Sequence, residues 1–557
     1  MNFYERGGHA MHPSFRSPLT QMMREAHAAC REAEATGAPI AEITAMRAER
    51  ASNRDRRRFL AGAAMAVAAT MVPGRSHALG MPRVVIVGAG MAGLNCAYTL
   101  WREQGIAAHI YEWNDRVGGR VQTLRGYFAN AQTAEQHGEF ISSEHAATLR
   151  LVQEFGLSLE NTDRFPQDLY DTCWFAGARY TQEALNQDWR DFGYTLFREA
   201  VRRAPNANYR HYSAEAYVWD HMSVAEWIDR YVPGSLSGPF GKMCYADVIS
   251  EYGGRPENQS ALNLLYILGY DASEPSGYQP KSHPVVAGSD EKWHISGGND
   301  QLVTGIVERL APGTIHLHHR LAALAENADG SYTCTFARDA ATIEVIADHV
   351  VLAIPFTTLR EVDLGKVSLS ALKRHAIETL PLGNNAKVMI QVAGRPWRHD
   401  GFTGSMLTDA PLDGGWDGSV YQKAQHHSAT AIYVLLPGSE QGAELAKKYG
   451  LTFGHDAGPA PAALVADSLK SLESIFTGVT AAWNAGPKLA WVNDGNIDRH
   501  LRGAWSQYNV GQYTGFSGIE PKPEGNIHFA GEQTSITFQG YIEGAVRSGT
   551  RAAREIG

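Results

Sequence analysis

The first strongly patterned stretch of the chain is Val84-Val85-Ile86-Val87, four β-branched residues with no polar face. Such a run predicts a short strand buried on both sides. It leads directly into Gly88-Ala89-Gly90-Met91-Ala92-Gly93, then a helical stretch from Leu94 to Gln104, then a second strand from Ala108 to Tyr111. Glu112 closes the unit. Near the opposite end, Asn526-Ile527-His528-Phe529-Ala530-Gly531-Glu532 reads as a strand ending in a glycine and an acid, and a helix is predicted to begin near Tyr541. Between them, Val350 to Ile354 reads as a strand stopped by Pro355, and Val388 to Val392 as another. The expected fold is α/β, α+β overall.

The glycine run matches GxGxxG in the strand–turn–helix–strand setting that gives the motif physical meaning. Gly88 permits the tight turn, Gly90 lets backbone N–H groups approach a pyrophosphate, and Gly93 lets the helix pack close to the strand. The positive helix end then favours phosphate charge. Glu112 is placed to accept hydrogen bonds from ribose hydroxyls. Both NAD and FAD use such a unit.

Three further segments are more specific. Glu112-x-x-x-Arg116-x-Gly118-Gly119-Arg120 extends the fingerprint, Gln539-Gly540-Tyr541-Ile542-Glu543-Gly544-Ala545 comes after the closing strand, and Pro381-Leu382-Gly383-Asn384-Asn385-Ala386-Lys387 leads a strand. Together these resemble the flavin monoamine oxidase and L-amino-acid oxidase family. The resemblance implies a Rossmann-type FAD-binding domain in discontinuous segments, 81–150, 285–365 and 500–557, with a substrate-binding domain in 151–284 and 366–499. It implies FAD contacts at Gly88, Gly90, Ala92, Gly93, Glu112, Gly119, Arg120, Gly138, Glu139, Phe140, Leu321, Gly531, Glu532, Gly540, Tyr541 and Ile542. By the same resemblance Lys387 holds a water against the flavin, and Trp505 and Tyr541 form aromatic walls that admit a neutral amine and exclude water. In monoamine oxidases a Cys bonds FAD covalently; Ala504 stands at that position here, so non-covalent FAD is expected.

The substrate is less legible. L-Amino-acid oxidases need a cation for the substrate carboxylate, most often Arg, and many carry it in a G-x-M-R pattern. Here the chain reads His137-Gly138-Glu139-Phe140-Ile141. The Arg is missing and Glu139 stands nearby, where an acid favours amines or basic side chains. Arg255 and Arg547 are substitute candidates by location alone. The expected function is an L-amino-acid oxidase that releases ammonia and hydrogen peroxide. The alternatives are a monoamine or polyamine oxidase and, more remotely, a carotenoid-type desaturase or a non-enzymatic flavoprotein.

Composition adds limits. With 557 residues, 44% hydrophobic and 20% charged, the chain is too long for one core and too apolar for disorder. Net charge is −9. The first 78 residues hold 11 Arg and 7 acids, so the remainder carries 39 basic against 52 acidic residues, a net of −13. An acidic body argues against nucleic acid as partner. The expected partners are an amine or amino acid, molecular oxygen and, by analogy with such oxidases, a second copy of the chain. Five scattered cysteines form no CxxC, and neither a metal site nor a disulfide framework is expected.

Residues 1–80 read as a helical, amphipathic segment followed by a twin-arginine-like signal: Asp55-Arg56-Arg57-Arg58-Phe59-Leu60, an Ala-rich run to Val72, then Ser76-His77-Ala78. Export of a folded, FAD-loaded protein follows from it, or a cytoplasmic location if the segment is retained. The Ala-rich run is too short for stable membrane insertion.

Overall fold

A computed structural model describes residues 81–162, 169–268, 290–338, 341–422, 430–452 and 457–557, together with Ile43, which is helical and fully buried. The twin-arginine-like motif and Cys30 lie outside the described residues. The other four cysteines are buried and unbridged.

Five short parallel strands form the sheet that the apolar runs predict: β1 (Val84–Val87), β2 (His109–Tyr111), β3 (Ile315–His316), β4 (His349–Leu352) and β5 (Ile527–Phe529). Their spatial order is β5-β4-β1-β2-β3, so the chain leaves β1 in one direction for β2 and returns on its other side for β4. All four residues of β1 are buried, as a parallel strand covered on both faces must be. The register aligns the strand ends: Val87 pairs with both Tyr111 and Leu352, and Leu352 with Phe529. The residues that come after these four strands therefore gather at one edge, the switch point where open parallel sheets bind ligands.

Two helices complete this edge. Helix α1 (Met91–Gln104) begins directly after Gly90, three residues before the sequence pattern places it, because Gly93 belongs inside its first turn. A Cβ on Gly93 would stand 2.0 Å from the Gly88 carbonyl oxygen, so only glycine lets helix and turn approach this closely. Gly88 itself has φ of +100°. Helix α2 (Ile542–Ile556) packs along α1: a Cβ on Gly549 would meet the Ala92 carbonyl oxygen at 2.3 Å, and Asn95 Nδ2 donates to the Val546 carbonyl at 2.7 Å.

A four-stranded sheet built from residues 320–366 lies in the same part of the chain. A separate eight-stranded sheet carries Lys387–Ala393 between Leu489–Asn493 and Thr430–Leu435, all antiparallel. Lys387 opens its strand opposite Asn493. The helix Pro239–Tyr252 ends against this region at Gly253, and the next helix, Ala261–Leu268, has all eight residues buried. Among the described residues no helix is long and apolar enough to cross a membrane.

Candidate functional site

A cavity opens at the carboxyl ends of β1, β2, β4 and β5 and reaches the eight-stranded sheet. It encloses about 1880 Å³ of empty space, the open solvent at its mouth included.

At the sheet end the wall is backbone. Gly88, Gly90, Met91 and Ala92 line it. Helix α1 has neither a side-chain cap nor an acid in its first turn, so the helix's own side chains do not occupy its first N–H groups, and Met91 and Ala92 line the cavity. A Cβ on Gly90 would meet no atom within 4 Å; the space above it is open. This cradle fits a pyrophosphate. Gly93, expected as a contact, does not line the cavity. Its role is packing against Gly88.

Glu112 also lines the wall, yet its carboxylate is shared with the loop. Oε2 accepts the Ala89 N–H and Oε1 the Asn114 N–H, both at 2.7 Å. Each oxygen retains a lone pair for a ribose hydroxyl. Glu532 is held more fully: Oε1 accepts from Arg120 at 3.0 Å and the Ser506 N–H at 3.1 Å, and Oε2 from Ser506 Oγ and the Gly540 N–H, both at 2.7 Å. Glu532 therefore fixes the loops that carry Arg120, Trp505 and Tyr541. Gly119, Gly138, Phe140, Leu321, Gly531, Gly540 and Ile542 all line the same cavity. A Cβ on Gly138 would crowd Ile542 at 3.2 Å.

At the other end stand Lys387, Glu139, Trp416, Leu436, Asn493, Trp505 and Tyr541. Lys387 Nζ lies 2.6 Å from Glu139 Oε2 and donates to the Glu135 carbonyl at 3.1 Å. An ammonium has three protons; these two bonds leave one for the cavity. Glu139 Oε1 accepts from Trp416 Nε1 at 2.9 Å and Tyr421 OH at 3.2 Å. Tyr421 stacks on His294, which pairs with Glu135 at 2.8 Å. Burial, with Glu139 and Glu135 close by, pushes the Tyr421 hydroxyl pKa well up, so it stays a donor. Trp505 is anchored by Nε1 to the Glu251 carbonyl at 2.7 Å, and the Tyr541 ring rests edge-on against His145 at 4.8 Å. Ala504 lies between these groups and Arg120, which donates to its carbonyl.

Two expectations fail. Arg255 is half exposed and pairs with Glu440 and Glu257, away from the cavity. Arg547 is exposed on the outer face of α2, over the Phe538 ring. Helical spacing places it there, because Ile542, Val546, Gly549 and Ala553 take the buried face. Trp416, Tyr421, His294 and Glu135 are not expected from the sequence. They reach Glu139 and Lys387 from distant segments, and no local pattern marks them.

The family model for flavin containing amine oxidoreductases matches residues 91–557. The chain belongs to that family. It is an FAD-dependent oxidoreductase of amines or amino acids, and the glycine cradle, Glu112 and Glu532 are the groups that would hold the dinucleotide.

Among relatives of this flavin amine oxidoreductase, an L-amino-acid oxidase of Pseudechis australis is 25% identical over 504 residues, covering 85% of this chain and 86% of its own. Amine oxidase [flavin-containing] B of Sus scrofa is 23% identical over 495 residues, covering 85% of each. Among solved structures, cyclohexylamine oxidase from Brevibacterium oxydans superposes with a TM-score of 0.69 at 19% identity, covering 85% of this chain and 98% of that one. A putrescine oxidase with bound putrescine gives 0.65 at 20% identity, with the same coverage. These last two establish the fold.

Proposed function

We propose that this flavoenzyme oxidises an amine that carries no α-carboxylate. The amine, oxygen and water give a carbonyl compound, ammonia or a shorter amine, and hydrogen peroxide. The observation that carries this reading is the state of the cations on the cavity wall. Among the described residues these are Arg116, Arg120, Arg320 and Lys387. Arg116 donates to the Gly119 carbonyl at 2.9 Å, Arg120 pairs with Glu532, and Arg320 lies over Trp113, next to Glu112. Lys387 is neutralised by Glu139. The guanidinium nearest Trp505 and Tyr541, that of Arg120, is already engaged by Glu532 and the Ala504 carbonyl, and a substrate carboxylate there would be desolvated without a free cation as partner.

When bound, FAD supplies the two-electron acceptor for the C–H bond beside the amine and passes the electrons to oxygen. The protein's own groups do the rest. Trp505 and Tyr541 are rigidly held planes that narrow the approach and exclude water. The remaining Lys387 proton holds a water or a reacting heteroatom at a fixed place in the cavity.

The relative from Pseudechis australis favours an α-amino acid instead. One experiment decides: peroxide release from FAD-loaded protein with phenylalanine against phenethylamine, lysine against cadaverine, and arginine against agmatine. Turnover of the amines with the acids inert is the expected result. Turnover of L-acids alone would overturn the proposal.

A further inference from the structure

We propose that Glu139 is a specificity-determining residue that acts through Lys387: by cancelling the only ammonium that the described residues place at the amine-binding end of the cavity, it makes that end reject anionic substrates. This rests on the amine reading above. Both side chains line the cavity, yet they are only 4% and 9% exposed, so their charges are poorly screened. Glu139 accepts three hydrogen bonds, from Lys387 Nζ, Trp416 Nε1 and Tyr421 OH. Lys387 is held on its far side by the Glu135 carbonyl. The pair is fixed from both ends and its net charge is zero.

An unpaired ammonium here would be a ready clamp for a carboxylate. Lys387 lines the cavity, and the Trp416 ring, its centroid 5.3 Å from Nζ, gives it a partly apolar surround. Glu139 removes that option. It also leaves no net positive charge on the pair to repel an arriving ammonium substrate. Glu139 is thus a positioning and charge-setting residue rather than a catalytic one.

The test uses the FAD-loaded full chain and benzoate as an anionic probe, with binding read from the change in flavin absorbance. Glu139→Gln keeps acceptors for Trp416 and Tyr421 and exposes the Lys387 charge. It is expected to tighten benzoate binding by about tenfold or more, the scale of one poorly screened charge. It should also lower the preference for phenethylamine over L-phenylalanine in kcat/KM. Lys387→Met leaves the opposite charge, and should weaken benzoate binding and tighten binding of benzyltrimethylammonium. In the double variant E139Q/K387M the benzoate gain should vanish. Flavin content and melting temperature report the fold of each variant, and the Lys387→Met arm stands alone if Glu139→Gln does not load FAD. Unchanged benzoate affinity in Glu139→Gln, or a gain that persists without Lys387, would overturn the proposal. If the native enzyme oxidises L-acids, the amine reading fails separately, because the benzoate arms still report on the pair.

Discussion

Arg120 and Glu532 are 412 residues apart in sequence and 3.0 Å apart in the fold. Their pair joins the loop after β2 to the loop after β5. Glu532 then ties in Ser506 and the Gly540 N–H, so one carboxylate holds together three stretches of the cavity wall. Replacing Glu532 by Ala leaves Ser506 and the Gly540 N–H without this buried acceptor, and Arg120 with only the Ala504 carbonyl. Breaking such a site costs about 3–5 kcal/mol. Glu532→Ala is expected to melt well below the native protein and to purify with little flavin, checked by calorimetry and by the ratio of flavin to protein absorbance.

The two glycines of the first turn separate folding from binding. A Cβ at Gly93 collides with the Gly88 carbonyl, whereas at Gly90 it enters open cavity space. Gly93→Ala is therefore expected to destabilise even the flavin-free protein. Gly90→Ala should leave the flavin-free melting temperature close to native and weaken FAD binding, measured by titration of apoprotein with FAD.

Ala504 offers only a methyl group where covalent attachment would need a thiol. Acid precipitation of the yellow protein is expected to leave all of the flavin in the supernatant, and the intact mass of the pellet should equal that of the chain alone.

Asp413 supplies a pH dependence. It is buried, and burial raises its pKa from the usual carboxylate range to about 7, although the Gly438 N–H at 2.9 Å opposes the shift. The folded state thus holds its proton more tightly than the unfolded chain. Its stabilising contribution is complete below about pH 4 and is lost as pH rises to about 7, a change of up to about 4 kcal/mol. Asp413→Asn lacks this titration. The stability of the native protein relative to Asp413→Asn should fall between about pH 4 and 7 and level off above it, read from denaturant unfolding at each pH.

The parts of the site legible in the sequence are those made by neighbours in the chain. Val84–Val87, the glycine turn and α1 form within about twenty residues, so β-branching, glycine spacing and helical period suffice to predict them. Even there the pattern starts the helix three residues late, because Gly93 reads as loop until the close approach of Gly88 explains it. Arg547 fails as a substrate clamp although its helix period already points it outward. Arg255 fails for a different reason. Its partner, Glu440, is 185 residues away, and no local signal shows that its charge is already neutralised.

The sequence by itself determined the dinucleotide unit, the acids at two strand ends and the lysine that opens the strand Lys387–Ala393, since each rests on short-range geometry. Only the tertiary structure decided what those charges do. Lys387 meets Glu139 across 248 residues, and Trp416 and Tyr421 complete that carboxylate's shell across 277 and 282. A charge is read from one residue, but its neutralisation depends on which distant groups the sheets bring within hydrogen-bonding reach in a poorly screened interior.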